Sequence, residues 1–258
     1  MLVFSHIPKT AGLTLNGILR KSFGSKLISV IPGKGTTYTK ADFELDFGQN
    51  NFPLGISGQG LKPYVDFGEH ESNFQWITFL RDPIERYVSQ YLHQQEYSPD
   101  EYVMDIVPWS EKYERSNWQV KWLAGEENLE KAKEIAHEKF SFIGVVEHFD
   151  ESIELLNQRL NTSLDVSYQA HKNVAKDNTL KKSLLGDDKM RSFIAEQNDL
   201  DIQLYNYVLD NIFYKQGVIG EANPSPSSMS FVVEKSHMYG FYVSNYFYRR
   251  GKKQLVDV

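Results

Sequence analysis

The chain has 258 residues and no cysteine, and its 28 basic and 34 acidic side chains leave a formal net charge of −6. That length supports one large α/β domain. The missing cysteines exclude a disulfide framework and suit a reducing compartment, and the acidic balance argues against non-specific nucleic-acid binding. No apolar run approaches the ~18–20 residues that a membrane span needs, and no charged segment leads into an apolar stretch and a cleavage site. The expectation is a soluble, cytoplasmic protein.

The first element is Leu2-Val3-Phe4, a short apolar run that reads as a buried strand. A polar turn follows, Ser5-His6-Ile7-Pro8-Lys9-Thr10-Ala11-Gly12-Leu13-Thr14. Leu15, Ile18 and Leu19 then fall at helical spacing. Strand, polar turn and helix together make an anion cradle. The first N–H groups of a helix have no partners, and its dipole favours negative charge there. Lys9 adds a full positive charge, Thr10 and Thr14 add hydroxyls, and Gly12 lets the backbone approach a ligand. The order differs from the usual phosphate loop, G-x-x-x-x-G-K-[ST], because the lysine precedes the glycine.

Leu27 to Ile31 reads as a second strand stopped by Pro32-Gly33, residues 33–53 as a loop with one short helix near 40–46, and Gly55 to Gly58 as a short strand or turn. The loop from Gln59 to His70 leads into a strand at 75–80, rich in β-branched and aromatic residues. That strand runs into Arg81-Asp82-Pro83-Ile84-Glu85-Arg86-Tyr87-Val88-Ser89. Asp82 suits an N-cap, Pro83 the first helical position, and Glu85 a capping box. Arg81 is then held at a strand end. Ser89 lies two turns along the helix on the face of Asp82, so a guanidinium fork and a hydroxyl can clamp one phosphate.

Together the two stretches resemble the sulfotransferases, and specifically the family of the heparan sulfate 2-O- and 6-O-sulfotransferases and their bacterial relatives. His6 to Thr14 is similar to that family's 5′-phosphosulfate loop, and Leu80 to Tyr91 to its 3′-phosphate motif. Phe142 to Ser152 resembles its segment ending in F-D-E-S, and Asn198 to Tyr205 its late L-D-x-x-L-Y helix. The resemblance runs over about residues 1–215 in order. It implies a P-loop-like parallel sheet flanked by helices, with 3′-phosphoadenylyl sulfate as donor, 3′-phosphoadenosine 5′-phosphate (PAP) as product, and no metal. Lys9 through Thr14, with Ala11 and Leu13 among them, would hold the 5′ group, Lys9 would stabilise the leaving phosphate, and Arg81 and Ser89 would hold the 3′-phosphate. His171-Lys172-Asn173-Val174 resembles a basic segment near the nucleotide, which makes Lys172 a further contact. Asn117 and Gln119 match an N-x-Q motif loosely.

In one place the chain departs from the family. Where the family shows a Gly-His pair whose histidine is thought to be the base, this chain has Gly58-Gln59. An amide is no base at neutral pH. His70 is the replacement by its ordinary pKa, with Glu69 and Asp66 as alternatives and His6 as a packing residue. The alternative reading is a non-catalytic nucleotide-binding module that has lost its base. The acceptor is a hydroxyl-bearing sugar or small molecule. The acidic balance disfavours an anionic polysaccharide, which would need a broad basic surface.

Beyond the helix from Pro83 to about Glu96, residues 98–115 read as an irregular lid, and Ser116 to Leu123 as a helix with Trp118 and Trp122 in the core. Glu127 to Lys139 is an amphipathic helix, Phe140 to Val146 a strand, and Asp150 to Leu160 a helix. Residues 161–190 read as polar loop, and Met190 to Glu196 and Leu200 to Tyr214 as helices. The sulfotransferase-like domain is expected over 1–222. Pro224 to Ser228 is a linker by composition, and 223–258 a C-terminal aromatic β appendage packed on the same domain.

Overall fold

The computed structural model describes residues 1–48, 52–97, 104–113, 115–164 and 179–216. The appendage expected over 223–258 and the segment around Lys172 lie outside the described residues. Five strands form one sheet: β1 (Leu2–Ser5), β2 (Leu27–Ser29), β3 (Gly55–Gly58), β4 (Gln75–Leu80) and β5 (Phe140–Val145). Their order is β2-β3-β1-β4-β5, and every pairing is parallel. The α/β parallel sheet expected from the sequence is present.

Parallel pairing buries both faces of the sheet, which is why the strands read as apolar runs. On one face Leu2, Phe4, Ile77, Phe79 and Phe142 pack against α1 (Gly12–Phe23) through Leu15, Ile18 and Leu19. On the other, Val3, Ile56, Trp76, Leu80 and Ile143 join an aromatic cluster of Tyr38, Phe43 and Phe67. Phe43 lies on α2 (Lys40–Phe47), where Thr39 caps the helix by accepting from Asp42 N and the Asp42 carboxylate answers the Thr39 N–H.

The chain visits β1, moves outward to β2, returns through β3 and crosses β1 to reach β4. Loops leaving β3, β1 and β4 are therefore neighbours at one carboxyl edge, where open α/β sheets bind their ligands. Asp82 caps α3 (Pro83–Tyr97) as expected, accepting from Glu85 N at 2.9 Å. The reciprocal half of the box does not form: Glu85 instead pairs with Arg81 at 3.1 Å and with Lys181, and the Asp82 N–H goes to Glu147.

The irregular lid expected at 98–115 is a helix where it is described, α4 (Ile106–Tyr113), with Trp109 fully buried against Tyr87 and Tyr91 of α3. The polar stretch 161–190 contains a helix at Thr179–Gly186. Its Leu184 and Leu185 join the α3 cluster, an apolar pair set among lysines and polar residues in the sequence.

α5 (Trp118–Ala124) and the helix Asp199–Val208 cap one another. The Asp201 carboxylate, fully buried, accepts from Gln119 N at 3.0 Å and Val120 N at 2.7 Å. The Asn117 side chain accepts from Leu200 N at 3.0 Å and Asp201 N at 3.2 Å. Asp201 also faces the fully buried Arg86, whose three guanidinium nitrogens have no hydrogen-bond partner among the described residues. Burial lowers the Arg86 pKa to about 10 and raises that of Asp201. Asp201→Ala uncaps α5 and strands a buried cation, so urea unfolding should show a loss of about 3–5 kcal/mol, and Asp201→Asn a smaller one.

Candidate active site

The carboxyl edge of the sheet opens into a cleft of about 840 Å³, which the loop after each of the five strands reaches. Pro32, Gly35 and Thr36 come from beyond β2, Gln59, Gly60 and Lys62 from the loop after β3, His6 to Thr14 from that after β1, Arg81 from the end of β4, and Val146 from beyond β5. Ser89, Gln90 and His93 of α3 and Arg115, Trp118 and Trp122 complete the wall.

The β1–α1 turn is strained. Lys9 and Ala11 both have positive φ, 70° and 56°, a conformation costing a non-glycine residue about 1–2 kcal/mol. Such turns aim successive N–H groups into one concavity. Gly12 opens α1 beneath the imidazole of His6, and a β-carbon there would overlap the ring. His6 stacks on Phe4 with ring centroids 5.5 Å apart. Burial drops its pKa to about 4, so the ring is neutral.

Of the residues expected to hold phosphate groups, Lys9, Ala11, Gly12, Leu13, Thr14, Arg81 and Ser89 share this cleft. Thr10 is different: its side chain is fully buried and its hydroxyl donates to Ile7 O at 2.9 Å. That hydroxyl holds the turn together and does not face the cleft. Lys172 lies outside the described residues.

Arg81 is positioned by three contacts. Gln119 clamps its backbone, accepting from Arg81 N and donating to Arg81 O, both at 3.0 Å. The guanidinium donates to Glu85 at 3.1 Å and to Lys9 O at 3.3 Å, while its Nε, buried, has no partner among the described residues. Asn117 and Gln119, placed near the nucleotide by the resemblance, thus act within the frame, one capping a helix and the other holding Arg81.

His70 is a correction. It lies on the 3₁₀ turn Gly68–Asn73, before β4, at the amino edge of the sheet and so at the opposite end from Lys9. Its ring packs on Phe43 and contacts Glu44 at 3.4 Å. Glu69 is beside it, paired with Lys40 at 2.9 Å, and Asp66 accepts from Gly68 N in the same turn. None of the three lines the cleft. A histidine's intrinsic pKa says nothing of which end of the sheet it occupies.

The cleft also contains residues that sequence reasoning passed over. Lys62 Nζ sits 2.7 Å from the centroid of Trp122, and burial lowers its pKa to about 7. Arg115 lies over Trp118 at 4.7 Å. His93 faces Lys9, and both have lowered pKa values, chiefly from burial. The i, i+4 spacing of Ser89 and His93 was a readable signal, as was the place of Lys62 three residues beyond Gln59. Trp118 and Trp122 pack as expected, with Trp122 largely buried, but both also border the cleft. Among the described residues its wall has four permanent or titratable cations, two histidines and no carboxylate. In a chain of net charge −6, such a wall favours an anion.

Residues 1–208 match the profile of the sulfotransferase family, and the chain belongs to that family. Among solved structures, the mouse sulfotransferase SULT7A1 complexed with PAP is similar at 14% identity, with a TM-score of 0.49 over 82% of this chain and 84% of that one. No curated protein matches the chain.

His6 gives the site a pH signature. Its pKa is near 6.5 unfolded and about 4 folded, so between those values the unfolded chain binds a proton that the folded chain refuses. The stabilisation is complete above pH 6.5 and is lost as pH falls toward 4, by up to about 3 kcal/mol. Urea midpoints compared at neutral and acidic pH should fall less steeply with acid in His6→Gln than in wild type.

Proposed function

We propose that the chain transfers a sulfuryl group from 3′-phosphoadenylyl sulfate to a hydroxyl of a sugar or small-molecule acceptor, releasing PAP. The observation that carries the reading is the convergence of Lys9, the N-terminus of α1, Arg81 and Ser89 on one carboxylate-free cleft, in a member of the sulfotransferase family. A nucleotide with anionic groups at both 5′ and 3′ ends spans two such anchors. The Arg81 guanidinium, which lines the cleft, offers a planar fork of donors suited to a phosphate.

Sulfuryl transfer asks the protein to align the acceptor with the leaving oxygen and to stabilise charge growing on the departing phosphate. Lys9 and the N–H groups at the start of α1 supply that stabilisation. Their geometry is fixed before binding by the Thr10–Ile7 hydrogen bond and the His6–Gly12 contact. Arg81 and Ser89 take the 3′-phosphate, and Gln119 sets where Arg81 stands.

Calorimetric titration with PAP tests the assignment. Wild type should bind, Lys9→Ala and Arg81→Ala should each weaken binding by about 10–100-fold, as expected of a charge-assisted contact worth ~1.5–3 kcal/mol, and His70→Gln should stay within about twofold. Absence of binding by the folded wild type would overturn the nucleotide reading.

A further inference from the structure

The geometry points to Lys62 as the group that takes the proton from the acceptor hydroxyl, the task left open by Gln59. The inference rests on the sulfotransfer reading above and names the base within that same site.

The backbone that delivers Lys62 is tied down on both sides. Gly58 O accepts from His6 N at 3.3 Å and from Leu61 N at 3.4 Å, folding the loop after β3 back on β1. Leu61 O accepts from the Ser5 hydroxyl at 2.8 Å, and that hydroxyl accepts from Trp122 Nε1 at 3.0 Å. One serine thus fixes both the residue before Lys62 and the indole on which its amine rests, 2.7 Å from the ring centroid. The loop after β3 flanks the Lys9 turn on the side away from Arg81, since the strand order is β3-β1-β4. With the 3′-phosphate anchored beside β4, the free side of the sulfuryl group is the side of Lys62.

Burial without a carboxylate partner selects the free amine. The other titratable or charged groups that line the same cleft are His6 and Lys9 from the β1–α1 turn, Arg81 and His93 from the end of β4 and α3, and Arg115 from the turn before α5. None is a carboxylate, and no ion pair or hydrogen bond of the Lys62 amine occurs among the described residues. Burial lowers the amine to about 7, where proton transfer at neutral pH is most effective. His6, at about 4, is too weak a base to compete, and the Gln59 amide is none. In the transfer the acceptor O–H bond breaks and its proton goes to Lys62 Nζ. The acceptor oxygen forms a bond to sulfur, the bond from sulfur to the 5′-phosphate oxygen breaks, and that oxygen keeps the electron pair as PAP leaves. The lysinium then returns its proton to solvent.

Trace acetylation with acetic anhydride, read residue by residue by mass spectrometry across pH, measures the free amine directly. Lys62 should titrate near pH 7 and be shielded by PAP. A midpoint among those of the surface lysines, near ~10, overturns the proposal. Release of PAP from 3′-phosphoadenylyl sulfate, with water and glycerol as hydroxyl probes, supplies the kinetic readout. Lys62→Arg keeps the charge and the indole contact but stays protonated. It should lose ~10²–10⁴-fold in turnover and flatten the acidic limb of the pH profile, with PAP affinity within about threefold of wild type. Added methylamine should restore part of the turnover of Lys62→Ala. Wild-type release no faster than in buffer, or Lys62→Arg as fast as wild type, overturns it. Failure of the nucleotide reading shows separately, as wild type that does not bind PAP while the Lys62 titration stands.

Discussion

The hydroxyl of Ser5 is the point on which the site depends. It ends the central strand, fully buried, donating to Leu61 O and accepting from Trp122 Nε1, while the Ser5 carbonyl accepts from Thr78 of the next strand. Three elements separated by 56 to 117 residues in sequence meet there. A buried polar group in this position must be satisfied or it costs ~1–3 kcal/mol. The requirement is therefore also a registration device: the β3 loop, the β1 turn and α5 are satisfied together only in one arrangement. Alanine at this position would leave both an indole N–H and a carbonyl without partners inside the protein.

Desolvation of positive charge is the cost of that arrangement. Lys9, Lys62, Arg81 and Arg115 share a cleft without a carboxylate among the described residues, and burial lowers the pKa values of Lys9, Lys62 and Arg115. Each shift states that the charged form is less well accommodated in the folded protein than in water. An anion entering the cleft relieves all of these at once. The fold therefore stores in this cleft part of the free energy that an anion recovers, and two left-handed residues in the turn, Lys9 and Ala11, add to the store. Cores at the other end of the sheet, dense with Phe43, Phe67, Phe74 and Trp76, offset it.

What could be read from sequence was what local chemistry determines. Asp82 before Pro83 announced a helix start, and the lysine turn between β1 and α1 announced an anion cradle, because each signal lies within one strand–turn–helix unit. Four of the five strands were legible as apolar runs for the same reason, while β3, Gly55 to Gly58, reads as either strand or turn. Two kinds of residue were not. Trp109 and α4 read as an irregular lid because a proline and acidic neighbours mask a helix whose burial depends on Tyr87 and Tyr91 of α3. His70 and Lys62 lie in one loop by sequence, yet the chain between them travels from the carboxyl edge of the sheet to its amino edge. The ordinary pKa of an imidazole ranked His70 as the base, and its place at the amino edge removes it.

The same distinction explains the paired amides Asn117 and Gln119. A motif near a ligand need not touch it. Asn117 spends its carbonyl on two N–H groups of the helix Asp199–Val208, and Gln119 spends both ends of its amide on the backbone of Arg81. Asp201 returns the favour by capping the start of α5, so Gln119 cannot shift without breaking a buried carboxylate's contacts. Arg81 then has no backbone freedom left, and its guanidinium is steered only by Glu85 and Lys9 O. Rigidity passes from a buried acid through an amide to the arginine that the proposed function sets against a phosphate, which is how a residue remote from a cleft comes to set its geometry.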